Sequence, residues 1–572
     1  MIKKIYSLVK VNNFQRKLQI FAIQMLIGIF FETFGLAIIF PVLDIISNPY
    51  KLEKIKVLNN LKQHYGSEII LISLPLLIIL FYILKSIYLV FLYWKQSSFS
   101  ANLGEKISFN LFSIYINNPY SFHLHKNSSE LLRNIKGEVL QFNEVVKSGL
   151  SVFLELMVLL SIFAILLYLD PTASICLATF GILMSYLFSK FTSKKLEKWG
   201  VVRQKVSIET SKTISHAFGA IKDVKILSIQ NYFLNQFKTS NFEDVEIQKK
   251  MSTISFLPRL FLEFIAVSGL MLFILVVKIR GGNLQMLIPI LGIFLASAFR
   301  MIPSINRIIT AIQYINFSKP VVQLLIKEFK DFNFENTINI KNKYVIENFN
   351  KLELNNITFS YEKTNKILLD NINLIINKGD IIGLIGESGV GKSTLVDIIL
   401  GINTCNNGNI LFNGNNIYEN LNQWYKQIGY IQQNVYLIDD TLGNNIALGV
   451  ESEKIDHQKL NKAIEQAQLL DFVNQLELGI NTMVGERGVR ISGGQKQRIG
   501  IARALYNQPN FLIFDEATSN LDLQTEAAVM ESIKSLTFDK TMIIIAHRKS
   551  ALTVCNKIYK ISNKKIQLIE NT

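Results

Sequence analysis

Six apolar segments, each long enough to cross a lipid bilayer, constrain the fold of this 572-residue chain more than any other feature. A membrane-spanning helix needs about 20 mostly apolar residues, because its backbone must satisfy its own hydrogen bonds in lipid. Charged residues make up only 18% of the chain, against about 25% in soluble domains. This excludes a wholly soluble enzyme and a disordered chain. The predicted spans are 18–46, 69–94, 145–169, 171–191, 254–279 and 284–315.

The distribution of basic residues orients these spans. Lysine and arginine precede the first span and follow the fourth, and such an excess marks cytoplasmic loops. We therefore expect the amino terminus, the two long polar loops and everything after residue 315 in the cytoplasm. The same rule accounts for much of the formal net charge of +16. Both long loops have helical patterns, which predicts long cytoplasmic extensions of the membrane helices.

One predicted outside loop departs from this charge rule. It carries Lys51, Lys54, Lys56 and Lys62. Apolar residues recur every three positions in 52–61, which predicts a short helix with one apolar face. Two interpretations stay open: the helix packs on its own protein, or it lies at the membrane interface and touches a lipid tail.

The cysteines and the amino terminus exclude two further classes. Cys176, Cys405 and Cys555 are far apart and lack metal-ligand spacing, so neither a disulfide framework nor a zinc site is indicated. The first apolar run extends well beyond a signal-peptide core and lacks a small-residue cleavage site. We therefore interpret it as an uncleaved first membrane helix.

The composition changes after about residue 335. Residues 1–335 hold the predicted spans, 336–350 are polar and rich in asparagine, and 351–572 alternate short β-branched runs with helical patterns. Such alternation is typical of a parallel sheet covered by helices. We predict an all-α polytopic membrane domain with six transmembrane helices, a linker, and a cytoplasmic α/β domain.

A glycine-rich loop in the α/β domain fits the phosphate-loop pattern, between the apolar run 381–385 and a helix. There, backbone N–H groups wrap phosphates, Lys392 reaches the β- and γ-phosphates, and the Ser393 hydroxyl is offered to Mg²⁺. The loop predicts an α/β P-loop domain that binds a nucleotide. Its residues are Gly386, Glu387, Ser388, Gly389, Val390, Gly391, Lys392, Ser393 and Thr394.

Two carboxylates end a second apolar run, 511–514. Asp515 suits direct or indirect ligation of Mg²⁺, and Glu516 suits polarisation of the attacking water. His547 follows another apolar run, and a contact with the γ-phosphate is favoured there over a structural role. The alternative is that the two acids only face solvent at the end of a strand.

A second anion-binding pattern lies downstream, in Ser492, Gly493, Gly494 and Gln495. Glycines before a helix present bare N–H groups and a positive dipole end to an anion. One phosphate loop already serves the nucleotide in this domain. The second pattern therefore predicts a contact with the nucleotide of another subunit.

Residues 351–570 resemble the nucleotide-binding domain of ABC transporters, in which the segment at 491–495 is called the signature. Tyr361 matches the aromatic residue that stacks on adenine, and Gln433 matches the glutamine that touches Mg²⁺ and assists hydrolysis. The match implies that ATP and Mg²⁺ bind here. It also implies a homodimer with two equivalent ATP sites, because ATP is clamped between one copy's phosphate loop and its partner's signature.

Other parts of the same resemblance are less central to catalysis. Glu486 lies in a segment like the exporter-type loop that contacts the membrane domain, and 519–522 match the D-loop. The signature begins with Ile491 where leucine is usual, and Gln432 stands where proline is common. Neither departure removes a catalytic group, so the site should hydrolyse ATP.

Six spans fused ahead of the ATPase resemble exporters, in which elements like 118–122 and 219–224 dock on the ATPase. Charged residues inside the spans are expensive and point to function. An anion such as pyrophosphate would suit a wall of cations. The alternative is structural ion pairs with Glu32, Glu155 and Glu263, or arginines below the bilayer. The candidate substrate-binding cations are Lys85, Arg259, Arg300 and Arg307.

The membrane domain also resembles the bacterial lipid-linked oligosaccharide flippases of protein N-glycosylation. The resemblance rests on Phe-Glu-Thr-Phe at 31–34, Pro-Arg at 258–259 and the run 300–310. It implies that the cavity cations bind a polyprenyl-diphosphate glycan, that the outside helix contacts the prenyl tail, and that the protein lies in the bacterial inner membrane. Lys85 stands where that family carries arginine, so a bidentate contact would be lost there.

These resemblances predict an ATP-hydrolysing translocase that flips a polyprenyl-diphosphate-linked oligosaccharide from the cytoplasmic to the outer face of a bacterial inner membrane. Three other functions are alternatives to this hypothesis. The first is an exporter of another amphiphile, such as a lipid A precursor, a drug or a peptide. The second is a soluble ABC ATPase acting on nucleic acid, which the six spans exclude. The third is a regulatory ABC protein that binds ATP without turnover, against which Glu516 and His547 argue.

Overall fold

A computed structural model gives the fold. The residues it describes are 2–47, 60, 63–64, 66–169, 171–279, 284–331, 348–361, 367–485, 488, 491–517, 523–537, 540–546 and 552–571. They form two compact units, one helical and one α/β. Most of the predicted linker and most of the predicted outside helix at 52–61 lie outside the described residues.

The helical unit consists of long helices joined by short ones. A π-helical turn at Asn134–Glu138 leads directly into α6. The helices are α1 (Ile2–Val11), α2 (Gln15–Ser47), α3 (Ser67–Asn117), α4 (Tyr120–His125), α5 (Ser128–Arg133), α6 (Val139–Leu169), α7 (Pro171–Gly219), α8 (Ile221–Ile226), α9 (Gln230–Ile279), α10 (Leu284–Phe317) and α11 (Lys319–Asp331).

These bounds confirm the predicted helical extensions. A span needs about 20 residues, whereas α3 has 51, α7 has 49 and α9 has 50. Among the described residues, three segments are long and apolar enough to cross a membrane: Gln15–Gly35, Glu68–Asn117 and Ser128–Ile165. The other three predicted spans lie on α7, α9 and α10, whose side chains the structure describes only in part.

The core of the helical unit forms where α3 meets α6 and α11. Leu103, Ile107 and Leu111 recur every four residues, so they share one face of α3, and all three are fully buried. Gly104 lies at the crossing with α6. A Cβ atom there would stand 2.0 Å from the side chain of Asn143, so the two helices approach closely because this residue is glycine.

The α/β unit holds two sheets. Its strands are β1 (Lys351–Ser360), β2 (Ile367–Asn377), β3 (Ile381–Ile385), β4 (Asn407–Phe412), β5 (Asn415–Asn416), β6 (Ile428–Ile431), β7 (Phe511–Asp515), β8 (Thr541–Ile545), β9 (Lys557–Ser562) and β10 (Lys565–Asn571). Its described helices are α12 (Lys392–Ile399), α13 (Leu421–Gln427), α14 (Leu442–Ile446), α15 (His457–Gln466), α16 (Leu470–Gln475), α17 (Gly493–Leu505) and α18 (Leu523–Leu536).

The larger sheet has the order β10-β9-β3-β8-β7-β6, and all its neighbouring strands except β10 and β9 pair in parallel. Every residue of β7 is buried. Phe511 and Ile513 pack into one core cluster, and Leu512 and Phe514 pack into the other. This alternation shows that apolar layers cover both faces, as the continuous apolar runs predict.

The smaller sheet corrects the expectation of a single parallel sheet from residue 351 onward. Strands β2, β1, β4 and β5 pair antiparallel in that order. Only residues 361–366 separate β1 from β2. A parallel crossover needs a dozen or more residues, so this connection requires antiparallel strands.

Candidate functional site

The four neighbouring parallel strands β3, β8, β7 and β6 bring the predicted site residues to one edge of the larger sheet. Gln433 follows β6, Asp515 ends β7, and the phosphate loop follows β3. The carboxyl ends of parallel strands meet at the same edge, where ligands of open α/β sheets bind. His547 follows β8, but it lies outside the described residues, as do Glu486 and 519–522.

The phosphate loop has the predicted strand–loop–helix setting. Gly391 caps α12 with a φ of 109°, a left-handed conformation that favours glycine. Lys392, the first residue of α12, is buried, and its Nζ donates hydrogen bonds to the carbonyl oxygens of Gly386 (2.9 Å) and Glu387 (3.1 Å). The loop therefore holds the ammonium group beside the N–H groups at the start of the helix, an arrangement suited to phosphate.

Ser393 and Asp515 meet although they are 122 positions apart. The Ser393 hydroxyl donates to Oδ1 of Asp515 over 3.3 Å, and the hydroxyl of Tyr430 donates to Oδ2 over 3.2 Å. A hydroxyl and a carboxylate are hard oxygen donors, and Mg²⁺ takes one or two protein ligands beside phosphate oxygens. These residues therefore fit the predicted magnesium site. Tyr430 is a contact that the motif analysis missed.

Two carboxyl groups at the same place have raised pKa values. Burial raises the pKa of Asp515, although hydrogen bonds from Tyr430 and Ser393 oppose this shift. Burial, followed by the nearby charge of Asp515, also raises the pKa of Asp397 to about 6. Burial is thus the main cause of both pKa shifts, and a bound cation would favour the ionised form of either carboxyl group.

Gln433 and Glu516 are in direct contact. The Gln433 Nε2 donates to Oε2 of Glu516 over 2.8 Å. Glu516 has a φ of 48°, uncommon for a side chain of this kind, and its backbone N–H donates to the carbonyl of Ile545 over 3.2 Å. The chain thus bends at Glu516, directly after β7.

Tyr361 lies beside the start of α12. Its hydroxyl is 3.2 Å from Oγ1 of Thr394, and its ring packs edge-on against Phe359 with centroids 5.0 Å apart. The side chain is 41% exposed, so part of the ring faces solvent. The contact of Tyr361 with adenine stays a prediction.

Ser492 caps the helix that carries the signature. Its Oγ accepts from the backbone N–H of Gln495 over 3.3 Å, and its own N–H donates to Oε1 of Gln495 over 3.0 Å. This capping box fixes the start of α17. Within the described residues, no hydrogen bond or ion pair joins the signature to the phosphate loop of the same chain.

The cations predicted to bind substrate are paired with acids on the membrane helices. Lys85 Nζ lies 2.7 Å from Oε2 of Glu32, and both side chains are buried. Arg307 Nε lies 2.5 Å from Oε1 of the buried Glu155. Both contacts agree with the alternative prediction, in which these cations form structural ion pairs.

The third pair lies along one helix. Arg259 Nε is 2.9 Å from Oε1 of Glu263, one turn further along α9, and both side chains are at least half exposed. The side chain of Arg300 lies outside the described residues. Each of the three acids predicted as possible partners, Glu32, Glu155 and Glu263, therefore forms an ion pair with one of the predicted cations.

Comparison with known proteins identifies the class of the α/β unit. Residues 369–519 match the family described as ABC transporter. The chain is similar to the structure of a bacterial Atm1-family ABC exporter with ATP bound, with a TM-score of 0.74 and 17% identity over 97% of this chain and 96% of that one. The chain therefore has the ABC exporter fold, and residues 369–519 are an ABC-type ATPase domain.

Curated relatives match a shorter stretch. The ATP-dependent lipid A-core flippase of Pectobacterium atrosepticum is 38% identical over 217 residues, which cover 38% of this chain and 37% of the relative. A putative multidrug export ATP-binding/permease protein of Staphylococcus aureus is 41% identical over 214 residues, 37% of each chain. The alignments thus span little more than a third of either relative. Neither name refers to a lipid-linked oligosaccharide.

Proposed function

We propose that this protein is an ATP-hydrolysing exporter. The hydrogen bond between Gln433 and Glu516 is the observation that carries the proposal, because it orients a glutamate that directly follows Asp515, the residue in contact with Ser393 of the phosphate loop. Glu516 accepts the proton of the attacking water, and Lys392 stabilises charge on the phosphates. Mg²⁺, held by Ser393 and Asp515 and approached by Gln433, would neutralise the developing charge.

The working unit in this proposal is a homodimer. The signature helix has an ordered, exposed start that suits an anion, yet one chain already supplies a phosphate loop. Two copies arranged head to tail would complete two equivalent ATP sites, each with Ser492, Gly493, Gly494 and Gln495 of the other copy. His547 would contact the γ-phosphate.

The substrate we propose is an amphiphile such as a lipid A-type glycolipid or a drug. The names of both relatives support this class. The protein would lie in a bacterial inner membrane with its ATPase domain in the cytoplasm.

A polyprenyl-diphosphate-linked oligosaccharide is the second candidate. Arg259 and Arg307 keep 60% and 42% of their side-chain surface exposed, so an anionic group could exchange with Glu263 or Glu155. Lys85 supports this candidate less, because its ammonium group is buried against Glu32. The resemblance of the segment 300–310 to the oligosaccharide flippases remains its main support.

Reconstituted protein separates these substrates. We would measure ATP hydrolysis in nanodiscs with a lipid A-type glycolipid, a polyprenyl-diphosphate oligosaccharide or a hydrophobic dye, beside the variant Glu516→Gln. The compound that stimulates ATP hydrolysis by the wild-type protein, and not by Glu516→Gln, identifies the substrate class. Wild-type protein without ATP hydrolysis above the Glu516→Gln background would contradict the proposed function.

A further inference from the structure

We propose that a polar cavity in the helical unit binds a neutral sugar head group of the transported amphiphile. This inference rests on the proposed export function and narrows its substrate. The cavity has a volume of about 520 Å³ and lies among α6, α7, α9 and α10. Ligand pockets commonly span about 300–1,000 Å³, so it can hold one or two sugar rings.

The α7 wall of the cavity presents hydrogen-bond acceptors. Thr210 Oγ1 donates to the carbonyl of Val206, and Ser211 Oγ donates to the carbonyl of Ser207, both over 2.9 Å. A hydroxyl has one proton to donate and two lone pairs that accept. With their protons used along the helix, Thr210 and Ser211 leave acceptor positions toward a ligand that carries O–H groups.

The α9 wall adds a carboxylate and two amides on one helical face. Asn241, Asp244 and Gln248 follow the spacing of three and four residues that aligns side chains along a helix. Gln248 Nε2 donates to Oδ2 of Asp244 over 2.6 Å, which fixes the carboxylate. Asp244 accepts hydrogen bonds only, whereas Asn241 can both donate and accept.

The charges of the cavity argue against an anionic ligand. Arg203 is the cation in its lining, and its Nη2 lies 2.9 Å from Oε2 of Glu138, which is buried. Asp244 leaves the walls with negative rather than positive character. A phosphate group would therefore lack a free counter-charge here, unlike a neutral hydroxyl-rich group.

Two apolar side chains complete the match to a sugar. Met251 and Phe317 line the cavity beside the polar walls. A sugar ring has hydroxyl groups around its edge and C–H groups on its faces, so it can satisfy both kinds of wall. A purely apolar drug would cover these polar side chains without offering them hydrogen bonds, which weakens its binding. The cavity thus favours a glycolipid over an apolar drug.

Saturation-transfer NMR on the full chain in nanodiscs tests this site, with maltose as the neutral sugar probe and tetraethylene glycol as a probe that has few hydroxyl donors. We expect transfer to maltose in the wild-type protein. The double variant Asn241→Ala, Asp244→Ala should weaken maltose binding by about fivefold or more, because two hydrogen-bonding groups are lost. The matched double variant Asn235→Ala, Glu243→Ala changes exposed residues of the same helix and should bind as the wild type does.

Basal ATP hydrolysis is measured in the same samples and should stay within about twofold of the wild-type rate. Absence of maltose transfer in the wild-type protein, equal transfer to tetraethylene glycol, or equal weakening by both double variants would overturn the sugar site. In each case the export proposal stands if ATP hydrolysis persists. If the wild-type protein shows saturation transfer to maltose but does not hydrolyse ATP, the export proposal is wrong and the cavity is still a sugar site.

Discussion

Gln433 and Glu516 leave the ends of the neighbouring strands β6 and β7 and meet side chain to side chain, over 2.8 Å between Nε2 and Oε2. The backbone of Glu516 is left-handed at this point, with a φ of 48°. Such backbone conformations cost on the order of 1–3 kcal/mol and persist where the surrounding structure enforces them. The proposed function assigns Glu516 as the general base and Gln433 as the residue that positions it.

The first prediction separates these two roles. Glu516→Gln should lower kcat for ATP hydrolysis by about 10²–10⁴-fold, because the general base is removed. Gln433→Ala should lower kcat by about 10–100-fold, since it removes only the partner that orients the base. Steady-state ATPase assays measure both. Gln432→Ala is the matched control, because this neighbouring side chain is exposed, and equal losses in Gln432→Ala and Gln433→Ala would contradict the assignment.

The second prediction concerns the pH dependence of a thiol. Burial raises the pKa of Cys555 to about 12, and its Sγ packs beneath β3, where a Cβ on Gly383 would lie 3.2 Å away. At pH 9 only about 0.1% of such a thiol is ionised, and the thiolate is the reactive form. In the variant Cys176→Ser, Cys405→Ser, iodoacetamide should therefore label Cys555 at least about 100-fold more slowly in native than in denatured protein.

The same shift has a consequence for stability. A pKa that is higher in the folded state favours folding less as pH rises. Stability should therefore fall as pH increases from about 8.5, the ordinary pKa of a thiol, to about 12, the pKa of Cys555 in the folded protein. The slope should diminish in Cys555→Ala. Rapid labelling of native protein at pH 9, or an unchanged slope in that variant, would show that burial does not control this thiol.

The third prediction concerns the buried ion pair of Lys85 and Glu32. Removing one partner leaves an unpaired buried charge, which costs about 3–5 kcal/mol, whereas removing both costs less. Thermal unfolding of Lys85→Met, Glu32→Gln and the double variant measures this coupling. The double variant should be more stable than the sum of the single changes implies. Lys106→Met, at an exposed position of the same helix, is the control.

If the losses of stability in the two single variants simply add up in the double variant, the ion pair does not stabilise the contact between α2 and α3. Lys85 would then again be a candidate for substrate binding. Neighbouring contacts support the ion pair. Lys85 Nζ lies 4.8 Å above the ring of Tyr82, whose hydroxyl donates to the carbonyl of Gly35 over 3.1 Å. A Cβ at Gly35 would lie 3.5 Å from Lys85 Nζ, so glycine leaves room for the ammonium group.

Much of the fold could be predicted from the sequence because its signals are local. Hydropathy over about 20 residues locates the membrane helices, and the phosphate loop needs only nine adjacent residues, from Gly386 to Thr394, after a strand. The antiparallel sheet was missed since β1 pairs with β4 across about 50 residues, and no motif records that register.

Contacts between side chains that are far apart in the sequence were the other part of the site that could not be predicted. Tyr430 reaches Asp515 because β6 and β7 are neighbours in the sheet, an order that the sequence does not contain. The acids near Lys85 and Arg307 could be named in advance as possible partners. Hydropathy indicates that a buried charge is costly, but it does not identify the partner of that charge. The positions of the helices were therefore needed to decide whether Lys85 and Arg307 are in ion pairs or free.

The last prediction tests the homodimer by complementation. Lys392→Ala disables the phosphate loop, and Gly493→Asp places a negative charge at the signature, where the helix start would meet phosphate. Each variant alone should lack ATP hydrolysis. In a random mixture, half of the dimers carry one intact site, so activity should return to at most roughly a quarter of the wild-type level. Coexpression with two different affinity tags isolates the mixed dimer for the assay. If each site were built within one chain, both chains of the mixed dimer would stay defective and no activity would return.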